Sequence, residues 1–358
     1  MPRLLLIKTS SLGDVIHALP ALTDIRHHCP DWQVSWMVEE SFAALPALHS
    51  GVHQVIPVAT RRWRHHCFAA QTRSDLQNLR QTLRQAQFDL SLDLQGLIKS
   101  ALLGALAPTH HLGYDRFSAR EPLACWAYQD TFAVPWSLHA VQRNRMLSAK
   151  ALGYTPDEAV CYGITASSWQ AQWIPCTTYV VLLHATSRTD KEWPEAHWVQ
   201  LGQHLYERGI RAIVPAGNPR EQARANRLAS AIAGAVAAPS LDLTQLAGLL
   251  GQAWAVVGVD TGLTHLACAL GRPVVALFTA TDPLATGVFG SPVARNCGGK
   301  ERCPTVSEVL QHLQELTIGD RVMKEPVPSV PESPAGQGLP AAFRKSGSGR
   351  CDPEASGS

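Results

Sequence analysis

The chain has 358 residues, 46% of them hydrophobic, and a net charge of only +2. That length allows two domains with two sizeable cores, and the composition is ordinary for a soluble globular protein. The near-neutral balance does not indicate a nucleic-acid partner, and no apolar stretch is long enough to span a bilayer. The N-terminus reads as a buried strand without a signal-peptide cleavage site, so a cytoplasmic location is expected. Nine cysteines are scattered and none forms a C-x-x-C pair, so reduced structural thiols are expected rather than a zinc or redox site. Residues 1–150 hold 15 Lys and Arg against 11 Asp and Glu, with 10 of the 15 histidines, which makes this half the better place for an anionic partner.

The chain opens on an apolar run, Leu4 to Ile7, that reads as a buried parallel strand. A turn through Thr9, Ser10, Ser11 and Gly13 leads into a helical pattern running from Leu12 to about His28. Pro20 lies inside it and is expected to kink or split the helix. Asp14 sits at the first turn, where unpaired backbone N–H groups favour a carboxylate. On the local pattern alone it is either a helix-start residue or a functional carboxylate, and both readings stand. Next come a strand over Gln33 to Val38, a short helical run from Phe42 to His49 capped by Ser41, and a strand over Val52 to Val58. Arg61, Arg62 and Arg64 surround Trp63 in a basic cluster continued by His65 and His66. Ser74 to Gln87 reads as an amphipathic helix, Phe88 to Leu94 as a strand, and Leu97 to Leu106 as a helix. A short strand near His111 to Tyr114 and a helix from Leu138 to Leu152 complete a βαβα pattern with a parallel sheet.

Gly153 to Cys176 breaks the pattern, and the connection between two domains falls there. The expected organisation is an N-terminal domain over 1–155, a linker over 156–177 and a second domain over 178–319. In the second domain strands are expected at Tyr179 to His184, Ala212 to Pro215, Trp254 to Val259 and Pro273 to Phe278. Helices are expected at Pro194 to Glu207, Pro219 to Ile232, Leu243 to Leu250, Thr261 to Leu270 and Val306 to Leu316. Residues 320–358 are rich in Pro, Gly, Ser and charge, so a disordered tail is expected. The fold class is α/β, with two doubly wound parallel sheets facing a cleft.

Two stretches of the second domain suit a diphosphate. Asp260-Thr261-Gly262-Leu263-Thr264-His265 turns a strand into a helix, with N–H groups of Thr261, Gly262 and Leu263 at the helix start. The absence of a side chain at Gly262 leaves room for the ligand's approach. Thr186, Ser187 and Lys191 follow the domain's first strand at the same sheet edge, where lysine can neutralise phosphate. Glu221 either meets ribose hydroxyls or is a helix-start acid. There is no G-x-G-x-x-G after a strand and no G-x-x-x-x-G-K-[ST], so a nicotinamide dehydrogenase and a P-loop NTPase both lose support. A diphosphate site on one domain and a carboxylate on the other suggest group transfer across a cleft, with one base and no metal.

The segments I-K-T-S-S-L-G-D-V-I-H-A-L-P-A-L, V-I-P-V-A-T-R-R-W-R, D-L-Q-G-L-I-K-S, A-R-E-P-L-A, H-A-V-Q-R, H-A-T-S-R-T-D-K-E-W-P and V-D-T-G-L-T-H-L run in order from Ile7 to Leu266. Together they resemble the lipopolysaccharide heptosyltransferases, the inverting glycosyltransferase family 9. The resemblance implies a GT-B fold, with an acceptor site in the N-terminal domain and a donor site in the C-terminal one. It implies transfer of L-glycero-D-manno-heptose from ADP-heptose to the inner Kdo of Kdo2-lipid A, with no cofactor. A relative adding a later heptose or another sugar, or a non-catalytic nucleotide-sugar-binding protein, are the alternatives. The resemblance puts the base on Asp14, with Lys191 also catalytic. It puts donor binding on Thr186, Ser187, Lys191, Glu221, Asp260, Thr261, Gly262, Leu263 and His265. Acceptor binding falls on Arg61, Arg62, Arg64 and Arg120, with Ser10 as a nearby loop hydroxyl and Gly13 as clearance for the sugar. Trp63 is expected either to stack on sugar, to lodge at the membrane surface, or to pack. The implied partners are ADP-heptose, Kdo2-lipid A and the cytoplasmic face of the inner membrane, met peripherally by a monomer. Two departures stand out. Thr279-Ala280-Thr281-Asp282-Pro283 replaces a family Gly-Pro-Thr-Asp-Pro, and His65-His66 stands where the family has a further basic residue, which makes acceptor binding more pH-sensitive.

Overall fold

The computed structural model describes residues 1–167, 169–174 and 178–317. The expected tail over 320–358 lies outside the described residues. The N-terminal half contains β1 (Arg3–Ile7), α1 (Leu12–Ile16), α2 (Leu19–His28), β2 (Gln33–Glu39), β3 (Val52–Val58), α3 (Thr60–His65), α4 (Ala70–Ala86), β4 (Leu90–Asp93), α5 (Ile98–Gly104), β5 (His110–Tyr114), β6 (Asp130–Phe132) and α6 (Ala140–Leu152). The C-terminal half contains β7 (Tyr179–Leu183), α7 (Glu195–Glu207), β8 (Arg211–Val214), α8 (Pro219–Ala231), β9 (Val236–Ala237), α9 (Leu243–Gln252), β10 (Ala255–Val259), α10 (Gly262–Ala269), β11 (Val274–Phe278), α11 (Pro283–Thr286), β12 (Ala294–Gly298) and α12 (Val306–Thr317).

Each half holds one six-stranded sheet whose strand pairs are all parallel. The orders are β3-β2-β1-β4-β5-β6 and β12-β11-β10-β7-β8-β9, the same doubly wound topology twice. In such sheets the strand order reverses beside the first strand, and ligands collect at the carboxyl ends there. The reversal points are β1/β4 and β7/β10. They place the loops after Ile7, Asp93, Leu183 and Val259 at the functional edge, which is where the sequence concentrates its hydroxyl and glycine residues.

Why β1 reads as unbroken apolar is visible in its packing. Leu4 and Leu6 join the cluster beneath α2, while Leu5 and Ile7 join the opposite cluster with Leu79 and Leu83 of α4 and Leu103 of α5. A strand covered on both faces has no polar side to alternate. The Leu4 cluster continues into the C-terminal half through Val181, Val256 and Phe278, so one apolar core crosses between the halves.

Pro20 does split the first helix: α1 ends at Ile16, and α2 restarts at Leu19 with the proline in its first turn, where its missing N–H costs nothing. The expected run Phe42 to His49 is instead two 3₁₀ turns, Glu40–Phe42 and Pro46–Leu48, so Ser41 lies within a turn and caps nothing. Pro46 begins the second turn and removes the donor a continuous helix needs. The connecting segment is tied to both halves. Ile164 bridges His49, and the Tyr162 hydroxyl donates to the Phe289 carbonyl at 2.9 Å.

α2 and α6 are locked by a buried ion pair. The Arg145 guanidinium donates to Asp24 Oδ2 at 2.7 Å and Oδ1 at 2.9 Å, and also to the Asp157 carbonyl at 2.7 Å. Removing one partner strands the other charge in a low-dielectric site. Asp24→Ala is therefore expected to lower unfolding free energy by about 3–5 kcal/mol, measured by urea denaturation. A loss of under about 1 kcal/mol, the value of a solvent-screened pair, would contradict the burial argument.

Candidate active site

At the carboxyl end of β1, the backbone N–H groups of Thr9 and Ser10 donate to Gln95 Oε1 at 3.0 and 3.2 Å. This fastens the loop after β1 to the loop after β4. Ser11 then caps α1, and Asp14 Oδ2 accepts from the Ser11 N–H and hydroxyl, both at 2.9 Å. The helix-start role of Asp14 is thus present, and Asp14 also lines the cleft between the halves. Arg120 Nη1 lies 3.9 Å from Asp14 Oδ1.

Across the cleft, Asp260 directly follows β10 and Thr261 stands at the N-cap position of α10. Lys191, on the 3₁₀ turn Thr189–Lys191, donates to Asp260 Oδ2 at 2.7 Å, and the Thr281 hydroxyl donates to the same oxygen at 2.7 Å. Thr186 Oγ1 donates to the Asp260 carbonyl at 3.1 Å. Burial alone would raise the Asp260 pKa. The nearby His265 imidazole, 3.9 Å away, hydrogen bonds from Lys191 and Thr281, and the Lys191 charge outweigh it and hold the carboxyl far below the usual range. The departing loop is therefore part of the site: Thr281 anchors Asp260, the Thr279 hydroxyl donates to the Asp190 carbonyl at 2.9 Å, and Asp282 caps α11.

Asp14, Gly13, Arg120, Thr186, Ser187, Lys191, Asp260, Thr261, Gly262 and His265 line one cavity of about 380 Å³, which also includes Ser11, Leu12, His17, Thr281 and Thr286. The structure does not bring every expected residue there. Glu221 lines an adjoining cavity that begins at Ala185, and its carboxylate accepts from the Gly217 N–H at 2.7 Å and Asn218 Nδ2 at 2.6 Å. That is the helix-start role. Leu263 packs against the core. Ser10 lines neither cleft cavity, and its hydroxyl accepts from Lys99 Nζ at 3.1 Å.

Gly13 and Gly262 stand on α1 and α10, where the two helices meet. A Cβ at Gly262 would lie 2.8 Å from three Leu12 side-chain atoms, and one at Gly13 would lie 3.4 Å from His265 Cδ2. At Gly262 the missing side chain admits Leu12 of α1, a Cβ at Gly13 would make only ordinary van der Waals contact, and both glycines line the cleft cavity. The arginine cluster has local partners of its own. Arg62 pairs with Asp75 at 2.8 Å and Glu40 at 3.2 Å, and Arg61 lies over the Phe42 ring at 5.2 Å. None of Arg61, Arg62 and Arg64 lines the cleft cavities. Trp63 has a packing role, with its Nε1 donating to Asp75 at 2.9 Å.

The cations at the cleft are the expected Arg120 and two that the sequence reading did not single out. Lys8, Arg120 and Arg143 line a second cavity of about 170 Å³ beside Asp14, together with Gln95, Trp136 and Asn144. Lys8 Nζ donates to the Leu94 carbonyl at 2.6 Å and to Asn144 Oδ1 at 3.2 Å. Arg143 donates to three backbone carbonyls and stacks over Trp136 at 3.8 Å. Neither forms an ion pair among the described residues, and burial pushes both pKa values down. Two buried cations held only by neutral groups suit an anionic ligand. The sequence did carry a signal for Lys8, a lysine directly following a fully buried strand.

The seam itself is rich in histidine. His17 Nε2 and His265 Nδ1 are 3.3 Å apart, and His139 Nε2 is 3.1 Å from the Gly287 carbonyl. Burial, reinforced by His265 and His139, drives the His17 pKa well below its ordinary value. Burial takes His139 to about 4, against an opposing hydrogen bond to Gly287, and takes His49 to about 4 with help from Arg26. Unfolded histidines gain protons near pH 6.5, so below that pH the unfolded chain binds more protons than the folded one and stability falls. The loss continues until the folded groups titrate, near pH 4 for His139 and His49. The urea midpoint is expected to drop clearly between about pH 7 and about pH 5; an unchanged midpoint would contradict the burial of these imidazoles. Among the described residues, one cluster has metal-ligand spacing, His27, His28 and Asp157. Both imidazoles already bond that carboxylate, and none of the three lines the cleft.

Known proteins resemble the chain in sequence and in fold. The family model described as glycosyltransferase family 9 (heptosyltransferase) matches residues 76–313. Lipopolysaccharide heptosyltransferase 1 of Pseudomonas aeruginosa is 46% identical over 290 residues, covering 80% of this chain and 81% of that protein. An Escherichia coli protein of the same name is 43% identical over 290 residues, covering 80% and 91%. The solved structure of the E. coli heptosyltransferase WaaC with ADP superposes with a TM-score of 0.81 at 39% identity, covering 88% of this chain and 99% of that one. The same enzyme with ADP-2-deoxy-2-fluoro heptose gives 0.78 at 40% identity, covering 87% and 99%. The two sheets are thus a GT-B arrangement.

Proposed function

The chain belongs to glycosyltransferase family 9, the heptosyltransferases, and from that premise we propose that it transfers L-glycero-D-manno-heptose from ADP-heptose to the inner Kdo of Kdo2-lipid A. The observation that carries this reading is the shared cavity: the Asp14 carboxylate and the Lys191–Asp260–Thr261 edge line the same space from opposite halves. Residues 1–155 bind the acceptor, 178–319 bind the donor, and 156–177 connect them.

Asp14 takes the proton from the acceptor hydroxyl. The oxygen attacks the anomeric carbon of heptose as the bond to the diphosphate breaks, giving inversion in one displacement. ADP leaves with its new charge met by Lys191 and by the free N–H groups at the start of α10. Thr186, Ser187 and His265 frame the diphosphate, and the adjoining cavity with Glu221 takes the nucleoside. Kdo is a carboxylated sugar, and its carboxylate suits the cavity of Lys8, Arg120 and Arg143. The exposed Arg61 and Arg64 are left for phosphates farther along the acceptor. The acceptor's lipid brings the enzyme to the cytoplasmic face of the inner membrane as a peripheral protein. No helix among the described residues is long and apolar enough to cross a membrane.

The test is the mass of the product formed from ADP-heptose and Kdo2-lipid A. One added heptose is expected; transfer only to an acceptor that already carries heptose would overturn the assignment.

A further inference from the structure

Eleven large hydrophobic side chains are exposed among the described residues, and six of them, Ile98, Leu102, Phe117, Leu123, Trp126 and Trp136, fall within residues 98–136. Such clustering is unlike the scattered single exposures of an ordinary surface. The segments that carry them are bonded to one another. α5 packs on the 3₁₀ segment Pro122–Ala127 over a small core of Ala101, Ala124 and Tyr128. The Ile98 N–H donates to Glu121 at 2.7 Å, the Glu121 N–H donates to the Gly96 carbonyl at 3.0 Å, and Trp136 Nε1 donates to the Phe117 carbonyl at 2.8 Å. Inner small residues hold the segments together while the large ones stay outside. Trp126 is 83% exposed and Phe117 is 74% exposed.

The charges around these side chains are sorted by sign. Asp115 is occupied by the N–H groups of Phe117 and Ser118, and Glu121 by that of Ile98. The cations stand at the border. Arg116 lies over the Phe117 ring at 5.0 Å, Lys99 reaches Ser10, and Arg120 lines both cleft cavities. Trp136 lines the cavity of Lys8 and Arg143, so the apolar surface runs up to the mouth of the acceptor site. Exposed tryptophan and phenylalanine bordered by Arg and Lys suit the interface of an anionic bilayer, where rings sit at headgroup level and cations meet phosphates.

We propose that the face formed by α5, the segment 115–127 and Trp136 docks on the surface of an anionic lipid bilayer and sets the acceptor cavity at the level of the lipid headgroups. This rests on the reading of the acceptor as a lipid-anchored anionic sugar. Docking there lets the sugar enter from the membrane side while the lipid chains remain in the bilayer.

The test uses the full chain and the variant Phe117→Ser/Trp126→Ser, two positions outside both cleft cavities. Flotation with phosphatidylethanolamine/phosphatidylglycerol vesicles needs no acceptor. Wild type is expected to float with them and less with phosphatidylcholine alone, and the variant is expected to bind about tenfold more weakly. Transfer is then measured to Kdo2-lipid A in the same vesicles and to its deacylated, water-soluble counterpart. The variant is expected to lose about tenfold in kcat/KM on the first and to stay within about twofold on the second. Wild type that does not float, a variant that floats equally well, or equal losses on both acceptors overturns the docking face. So does a dimer in sedimentation that the variant abolishes without any vesicle binding. Absence of transfer to either acceptor, with flotation as expected, refutes the acceptor assignment and leaves the surface standing.

Discussion

Asp14→Asn is expected to bind ADP as tightly as the parent chain and to lose a factor of about 10²–10⁴ in kcat, the range a positioned general base contributes. The amide keeps the size of the carboxylate, and its oxygen still accepts from the Ser11 N–H and hydroxyl that now hold Oδ2 at 2.9 Å. The start of α1 is therefore retained, at a cost in stability of well under about 1 kcal/mol from the lost interaction with the helix dipole. What the amide cannot do is take a proton. ADP titration separates the two roles of the residue, because donor groups lie on the other half of the molecule. Near-normal turnover would return Asp14 to a purely structural helix-start role. Loss of ADP binding together with turnover would mean that the substitution had opened the α1–α10 seam rather than removed a base.

What was legible in the sequence was whatever is written in consecutive residues. The apolar run of β1, the Pro20 break and the strand-to-helix turn at Asp260 each express a local cause, and each stands where it was expected. The edge strands β6, β9 and β12 were not seen: β6 and β9 are only three and two residues long, and β12 carries exposed Arg295 and Asn296 at its centre. Cavity membership was harder, since it depends on which groups meet across the fold. Arg62 stands in the densest basic cluster of the chain, yet acids 13 and 22 residues away absorb its charge. Lys8 and Arg143 stand in no cluster, yet both line the cavity beside Asp14. Local charge density was therefore a poor guide to which cations line the cleft cavities. Gly262 shows the same limit. Its missing side chain marks a close approach by Leu12 of another helix, which only the fold reveals.

Lys191→Ala is expected to lower kcat by about 10²–10³, in line with the removal of one preorganised group from a developing negative charge, and to weaken ADP binding as well. The lysine's pairing with Asp260 at 2.7 Å makes the loss larger than that of a lone cation. Without Lys191, Asp260 keeps its bond from Thr281 and its place beside His265, and its carboxyl remains charged within the diphosphate cavity. The donor then meets an unopposed like charge in addition to the missing attraction. Asp260→Asn in the Lys191→Ala background removes that repulsion, so the double variant is expected to bind ADP more tightly than Lys191→Ala alone. Two residues in contact should be non-additive in just this sense. If the double variant binds ADP more weakly than Lys191→Ala, the Asp260 carboxylate serves the donor directly rather than by holding the lysine. If ADP affinity and kcat are both unchanged in Lys191→Ala, the lysine does not face the leaving group.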